Sequence, residues 1–321
     1  MRRLLPILTL LFVLSACEKP AWGQSPSMGT TPTSPSPATA TSAASPTSEL
    51  QAMGLPTDTP SIDQPPAPTP APDAWKTLPI VPTVSPAMVQ LYQRGLAAGR
   101  DPNKFSKIGD CQNITTYYLA DFDNPADYRL GSSYAYLQPT IDHFAGSWSR
   151  ESLAVKGGMG VAAVIDPYSI FKDQKQCGKD ESPLACEIRV NNPSIVIISM
   201  ETWYAHKPVT DYDKYLRQVV QYVLSQNIVP ILATKADNLE GDYSINADIA
   251  RIAYDYQVPL WNFWAATYPL PSHGLTADEF HLTQARDFFD DPVRMESAWP
   301  WRNLTALQAI DAVYRGVSGS H

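Results

Sequence analysis

The chain has 321 residues, with 24 Lys and Arg against 32 Asp and Glu, a formal net charge of −8. That balance excludes nucleic acid and anionic lipid headgroups as the main electrostatic partner. The length alone allows two domains, but the N-terminal quarter is too rich in Pro, Ser, Thr and Ala to build a core of its own.

Chain order starts with an export signal. Arg2 and Arg3 precede an apolar run, Leu4 to Leu14, broken only by Pro6 and Thr9. Such a run is too short to cross a hydrocarbon core of about 30 Å as a permanent helix. No other segment is long and apolar enough to span a membrane. The run closes on Leu14-Ser15-Ala16-Cys17, which resembles the bacterial lipobox. That resemblance implies a signal peptide over residues 1–16. It also implies lipidation of Cys17 with diacylglycerol, and a domain held outside the cytoplasm on the bacterial cell membrane. Each buried CH₂ contributes about 0.8 kcal/mol, and two acyl chains suffice for stable anchoring. Loss of Arg2 and Arg3 with the signal takes the formal charge to −10.

Residues 17–84 read as a disordered tether. From Glu18 to about Pro82 there are few aromatics or branched aliphatics, so burial does not offset conformational entropy. The run Asp63 to Pro72 favours local polyproline II.

A folded domain is expected over 85–321. Ser85 as N-cap and Pro86 at the first helical position open a helix with Met88, Leu91 and Leu96 inside, stopped at Gly99. Strands are expected at Phe105–Gly109, Ser194–Ser199, Asn227–Ala233 and Val258–Phe263. The third contains Pro230, which weakens central pairing. Between them, Asp211–Gln226 carries Tyr212, Leu216, Val219, Val220, Val223 and Leu224 on one helical face, and Asn246–Tyr256 carries Ile249, Ile252, Ala253 and Tyr256. A last helix is expected to start at an Asn303 cap and stop at Gly316. Uniformly apolar strands alternating with helices predict α/β class, a three-layer α/β/α sandwich around a mainly parallel sheet.

Four cysteines are present. With Cys17 lipidated, Cys177 and Cys186 flank a short Gly- and Pro-containing loop, and a disulfide between them is predicted for an oxidising compartment. Cys111 is left over.

Functional groups of such sheets gather at the carboxyl ends of the strands. Phe105 runs to Gly109-Asp110-Cys111, and late in the chain stands Asp278-x-x-His281. An Asp three residues before a His can accept the Nδ1 proton and leave Nε2 as a base. Together these blocks resemble the SGNH/GDSL hydrolases, in which a strand runs into Gly-Asp-Ser and Asp-x-x-His closes the domain. The resemblance covers residues 85 to 317 and implies a flavodoxin-like sandwich and acyl-ester hydrolysis. Carried over residue by residue, Cys111 stands at the nucleophile, Asp278 orients and His281 is the base. A thiolate is a competent nucleophile, while a cysteine there also reads as a small hydrophobe. Gly158, in Gly157-Gly158, is either the family's oxyanion donor or part of a tight turn. In the family's third block, Glu201 stands where a glycine is expected and Trp203 where the oxyanion asparagine is expected.

Two functions follow. One is a surface-anchored hydrolase of glycan or lipid acyl esters using Cys111, His281 and Asp278. The other is a catalytically inactive module of the same fold, binding sugars on Trp203, Tyr204, Trp261 and Trp264. No cofactor is implied. Neither Glu201 with His206 nor His273 with His281 has a recognised metal-ligand spacing. His143, His206 and His273 read as solvated surface residues. Besides the membrane, the expected partner is a small-molecule or glycan ester.

Overall fold

The computed structural model describes residues 71–200 and 208–319. Cys17 and the expected signal and most of the tether lie outside the described residues, as do Glu201, Trp203, Tyr204, His206 and His321.

Strands β1 (Asp101–Gly109), β2 (Pro193–Ser199), β3 (Val229–Ala233) and β4 (Leu260–Trp261) form one sheet in that spatial order, every neighbouring pair parallel. The register sets Gly109 opposite Ser199, Ile197 opposite Ile231 and Leu232 opposite Leu260. All seven residues of β2 are buried, which is why this strand reads as an unbroken apolar run. On the outer side of β1, Val155 makes an isolated parallel bridge to Gly109. The chain therefore leaves β1 for a position on one side and returns through β2 on the other. The carboxyl end of β1 is a topological switch point, where ligand crevices open in sheets of this class.

Pro230 sits inside this sheet without breaking it. The N–H groups of Leu232 and Thr234 donate to Pro259 (2.9 Å) and Trp261 (3.1 Å) across the β3–β4 border. Alternate residues share that direction, so the nitrogen of Pro230 faces the same border before β4 begins and no ladder bond is lost.

The helices are α1 (Pro86–Ala97), α2 (Gly131–Tyr134), α3 (Gln138–His143), α4 (Val161–Ile165), α5 (Pro183–Asn191), α6 (Val209–Ser225), α7 (Ser244–Asp255), α8 (Phe263–Thr267) and α9 (Ala298–Ser318). Helices α4 to α7 pack on one another, with α5, α6 and α7 against the strands, while α1 and α9 pair against the strands as the other layer. On α6, Tyr212, Leu216, Val219, Val220 and Val223 are buried, a stripe at helical spacing. Among the described residues no helix is long and apolar enough to cross a membrane.

Three sequence expectations need correction. The packed chain begins before Ser85: Trp75 is 3% exposed, and Asn262 Nδ2 donates to the carbonyls of Trp75 (2.9 Å) and Leu78 (3.0 Å). Composition averages over a window, whereas a few specific contacts, the buried Trp75 indole and the bonds from Asn262, suffice to dock this segment. Helix α9 begins at Ala298, with Ser297 as N-cap, and Asn303 lies inside it. Pro300 falls in the first turn, where the missing N–H would have no helical partner anyway. Helix α9 also runs past Gly316 to Ser318, with Gly319 left-handed at its end. Gly316 is required instead by close packing, since a Cβ there would stand 2.7 Å from Val84 Cγ2.

The predicted disulfide between Cys177 and Cys186 is formed, with a Cα–Cα separation of 5.2 Å, and Cys111 remains outside it.

Candidate functional site

The end of β1 is shaped by close approach. A Cβ on Gly109 would meet Asn113 Nδ2 at 2.0 Å and Ser199 O at 2.6 Å, so only glycine fits. Asn113 uses that space to donate from Nδ2 to Ser199 O at 2.7 Å, tying the ends of β1 and β2. Between them the chain makes a single 3₁₀ turn, Cys111–Asn113, capped by the buried Asp110, whose carboxylate accepts from the Gln112 N–H at 3.2 Å. Cys111 is partly exposed at the start of this turn.

The second component is a hairpin over residues 275–282. Leu275 and Leu282 bridge antiparallel, and Thr276 N donates to His281 O at 2.8 Å. Inside its turn, Asp278 Oδ2 lies 2.5 Å from His281 Nδ1. Asp278 Oδ1 accepts from Thr276 Oγ1 (2.6 Å), Phe280 N (3.1 Å) and His281 N (3.0 Å). Burial acts to raise the Asp278 pKa, but the bonds from His281, Thr276 and the two N–H groups prevail and hold the carboxyl well below the usual range. Both side chains are 51% exposed. The Asp278 contact fixes Nδ1 as the proton-bearing nitrogen of neutral His281 and leaves Nε2 able to take a proton.

A hydrogen bond ties the two parts: Gln112 Nε2 donates to Phe280 O at 3.2 Å. The residue after Cys111 thus holds the residue before His281. The third part, the Gly158 loop, reaches the same strand end through Gly109 N to Ala154 O (3.0 Å) and Lys156 N to Gly109 O (3.4 Å). Its turn is closed by Met159 N to Lys156 O at 3.1 Å, with Gly158 at φ 78°. The turn reading of Gly158 therefore holds. Among the described residues no acceptor takes its N–H, so a turn and a donor are compatible here.

Several supporting residues were not singled out from the sequence. Arg302 of α9 is fully buried, and it donates from Nε to Gln112 O (3.1 Å) and from Nη2 to Ser199 Oγ (2.9 Å). Its guanidinium also lies 4.8 Å from the Tyr118 ring centre and 4.9 Å from that of Phe263. Arg302 shares the buried part of this helix with Asn303, Thr305 and Asp311, so no single polar outlier marked it in the sequence. Lys107, on β1, is buried as well, with Nζ donating to Trp148 O (2.7 Å) and Thr115 Oγ1 (3.1 Å). Burial, reinforced by the nearby Arg150 charge, pushes its pKa down to about 7.

The expected stacking platform is not assembled as read. Trp261 is fully buried and donates from Nε1 to Thr305 Oγ1 at 3.0 Å, so it offers no face to a ligand. Trp264 instead lines a cavity of about 520 Å³ beside the hairpin. His143 is packed rather than solvated, stacked on Tyr314 at 4.1 Å with Nε2 2.9 Å from Pro102 O.

Comparison of the chain with protein-family models, with curated proteins and with solved structures finds no match.

Proposed function

We propose that the chain is an acyl-ester hydrolase of the SGNH/GDSL type, exported and anchored to the bacterial cell membrane through a lipidated Cys17. The observation that carries this reading is the Asp278–His281 pair and its attachment, through Gln112 and Phe280, to the turn that begins with Cys111. A switch-point location at the end of β1 supports it, as does the Cys177–Cys186 disulfide for an oxidising compartment.

In this reading His281 Nε2 takes the thiol proton as Cys111 Sγ bonds to the acyl carbon. The tetrahedral oxyanion is met by the Gly158 N–H. The acyl C–O bond then breaks, and His281 returns the proton to the leaving alcohol. Water, deprotonated by His281, cleaves the thioester and releases the carboxylic acid with the thiol restored.

The test is a panel of acyl esters assayed on the full chain beside Cys111→Ser and His281→Ala. Turnover lost in His281→Ala and changed in Cys111→Ser supports the reading. A wild-type chain without turnover, whose Cys111 reacts with iodoacetamide no faster than a free cysteine, overturns it. The aromatic cavity beside the hairpin favours one second reading, a module that binds sugars without turnover.

A further inference from the structure

The cavity of about 520 Å³ shares a wall with the candidate catalytic hairpin: Thr276, Ala277 and Glu279 line it, and Thr276 Oγ1 also holds Asp278. We propose that this cavity is a subsite for a neutral sugar ring of the ester substrate, which makes the substrate an acylated glycan rather than a lipid. The substrate class rests on the hydrolase reading above; the sugar site itself does not.

Its chemistry is specific. Trp264 and Tyr268 stand one helical turn apart with ring centres 4.5 Å from each other, and His273 stacks on Tyr268 at 4.5 Å and 6°. Tyr243 closes the cluster 5.9 Å from Trp264. Such faces suit the C–H side of a pyranose, while Asn238 and Thr276 supply neutral donors and acceptors for its hydroxyls. The described lining holds no Lys or Arg but does hold the Glu279 carboxylate, which disfavours phosphate, carboxylate and nucleic acid ligands. A long acyl chain would need continuous apolar walls, which the polar groups interrupt.

The backbone carries independent support. Tyr243 (φ 56°), Ser272 (φ 50°), His273 (φ 55°) and Glu279 (φ 58°) all line the cavity in left-handed conformations. They are four of the eight non-glycine residues in that region among the described residues, so unfavourable conformations concentrate at one cavity. Strain of about 1 kcal/mol or more per residue persists where the surroundings over-determine it, and it clusters at ligand sites. Here it accompanies the stacking of His273 on Tyr268.

The experiment is a tryptophan-fluorescence titration of the full chain with tri-N-acetylchitotriose, xylotriose and maltotriose, and separately with decanoate. A saturable change is expected with at least one trisaccharide and not with decanoate. Tyr268→Ala and His273→Ala, both at exposed positions, should each weaken it by about tenfold. Tyr168→Ala, an exposed tyrosine outside the cavity, should leave it unchanged. Absence of saturation with all three sugars, indifference to both cavity substitutions, or saturation by decanoate alone overturns the proposal. Sugar binding without ester turnover, with Cys111 no more reactive toward iodoacetamide than a free cysteine, would remove the hydrolase reading and keep the subsite. Ester turnover without sugar binding would do the reverse.

Discussion

Gln112 Nε2 and the Phe280 carbonyl lie 3.2 Å apart, so the segment carrying Cys111 and the segment carrying His281, remote in sequence, meet through adjacent residues. This bond positions rather than reacts. Under the proposed hydrolase reading, Gln112→Leu is expected to lower kcat toward a small ester by about 10- to 100-fold with little change in KM. The pH profile of Cys111 alkylation by iodoacetamide should move as well, which a purely structural role for Gln112 would not produce. An unchanged profile and kcat would show that the hairpin holds its place without Gln112.

Asp278→Asn removes the carboxylate that fixes the His281 tautomer and leaves only a neutral amide oxygen to support the hairpin turn. Under the same reading, turnover should fall by about 10³- to 10⁴-fold, as expected when an imidazole base is held by an amide instead of a carboxylate. The pH dependence has a definite sign. The Asp278 carboxyl is depressed in the folded chain, so its support of the hairpin is complete above the ordinary carboxylate pKa and is lost as pH falls through the folded value. Protection of the Thr276 and His281 amides, relative to their intrinsic exchange rates, should fall on acidification in the wild type and be lower and insensitive to that pH range in the variant.

Lys107 titrates in the same sense but in a higher pH window. Its folded pKa of about 7 lies below an unfolded value of about 10.4, so the unfolded chain holds more protons between them. Stability should rise with pH across that window, by at most about 1.4 kcal/mol per pH unit, and level off below it. Lys107→Met should flatten the rise. Urea titrations from about pH 6 to about pH 10 measure both slopes. Equal slopes in wild type and variant would mean that Lys107 stays charged in the fold.

Arg302 joins the ends of β1 and β2 from α9 through two different nitrogens. Arg302→Met should destabilise the domain by about 3 kcal/mol, because buried oxygen acceptors lose their donors. Arg302→Lys should recover little, since an ammonium cannot span both acceptors as the planar fork does. Midpoints of thermal or urea unfolding distinguish full, partial and absent rescue.

Replacing both Cys177 and Cys186 with Ser should cost about 2–3 kcal/mol, in keeping with the short loop they close. Reductant should lower the wild-type midpoint to that of the variant and leave the variant unmoved.

Much of the fold follows from local pattern. The Ser85-Pro86 helix start, the cores of the four strands, the α6 stripe and the Cys177–Cys186 pairing are all consequences of periodicity, capping chemistry or short loop closure, which act within a few residues. The Asp278–His281 contact is equally local, being three residues long. Tertiary structure alone decided what depends on distant partners. Trp75 belongs to the fold only because Asn262 and the Trp264 ring receive it. Trp261 turned inward toward Thr305 while Trp264 faced the cavity, although both are aromatic residues of one short stretch. The attachment of the Cys111 turn to the His281 hairpin, and the burial of Arg302 behind both, likewise join segments more than a hundred residues apart. No local pattern encodes such meetings. They arise when the sheet's order and register bring several strand ends together, and each buried polar group then takes the partner that lies within hydrogen-bond reach.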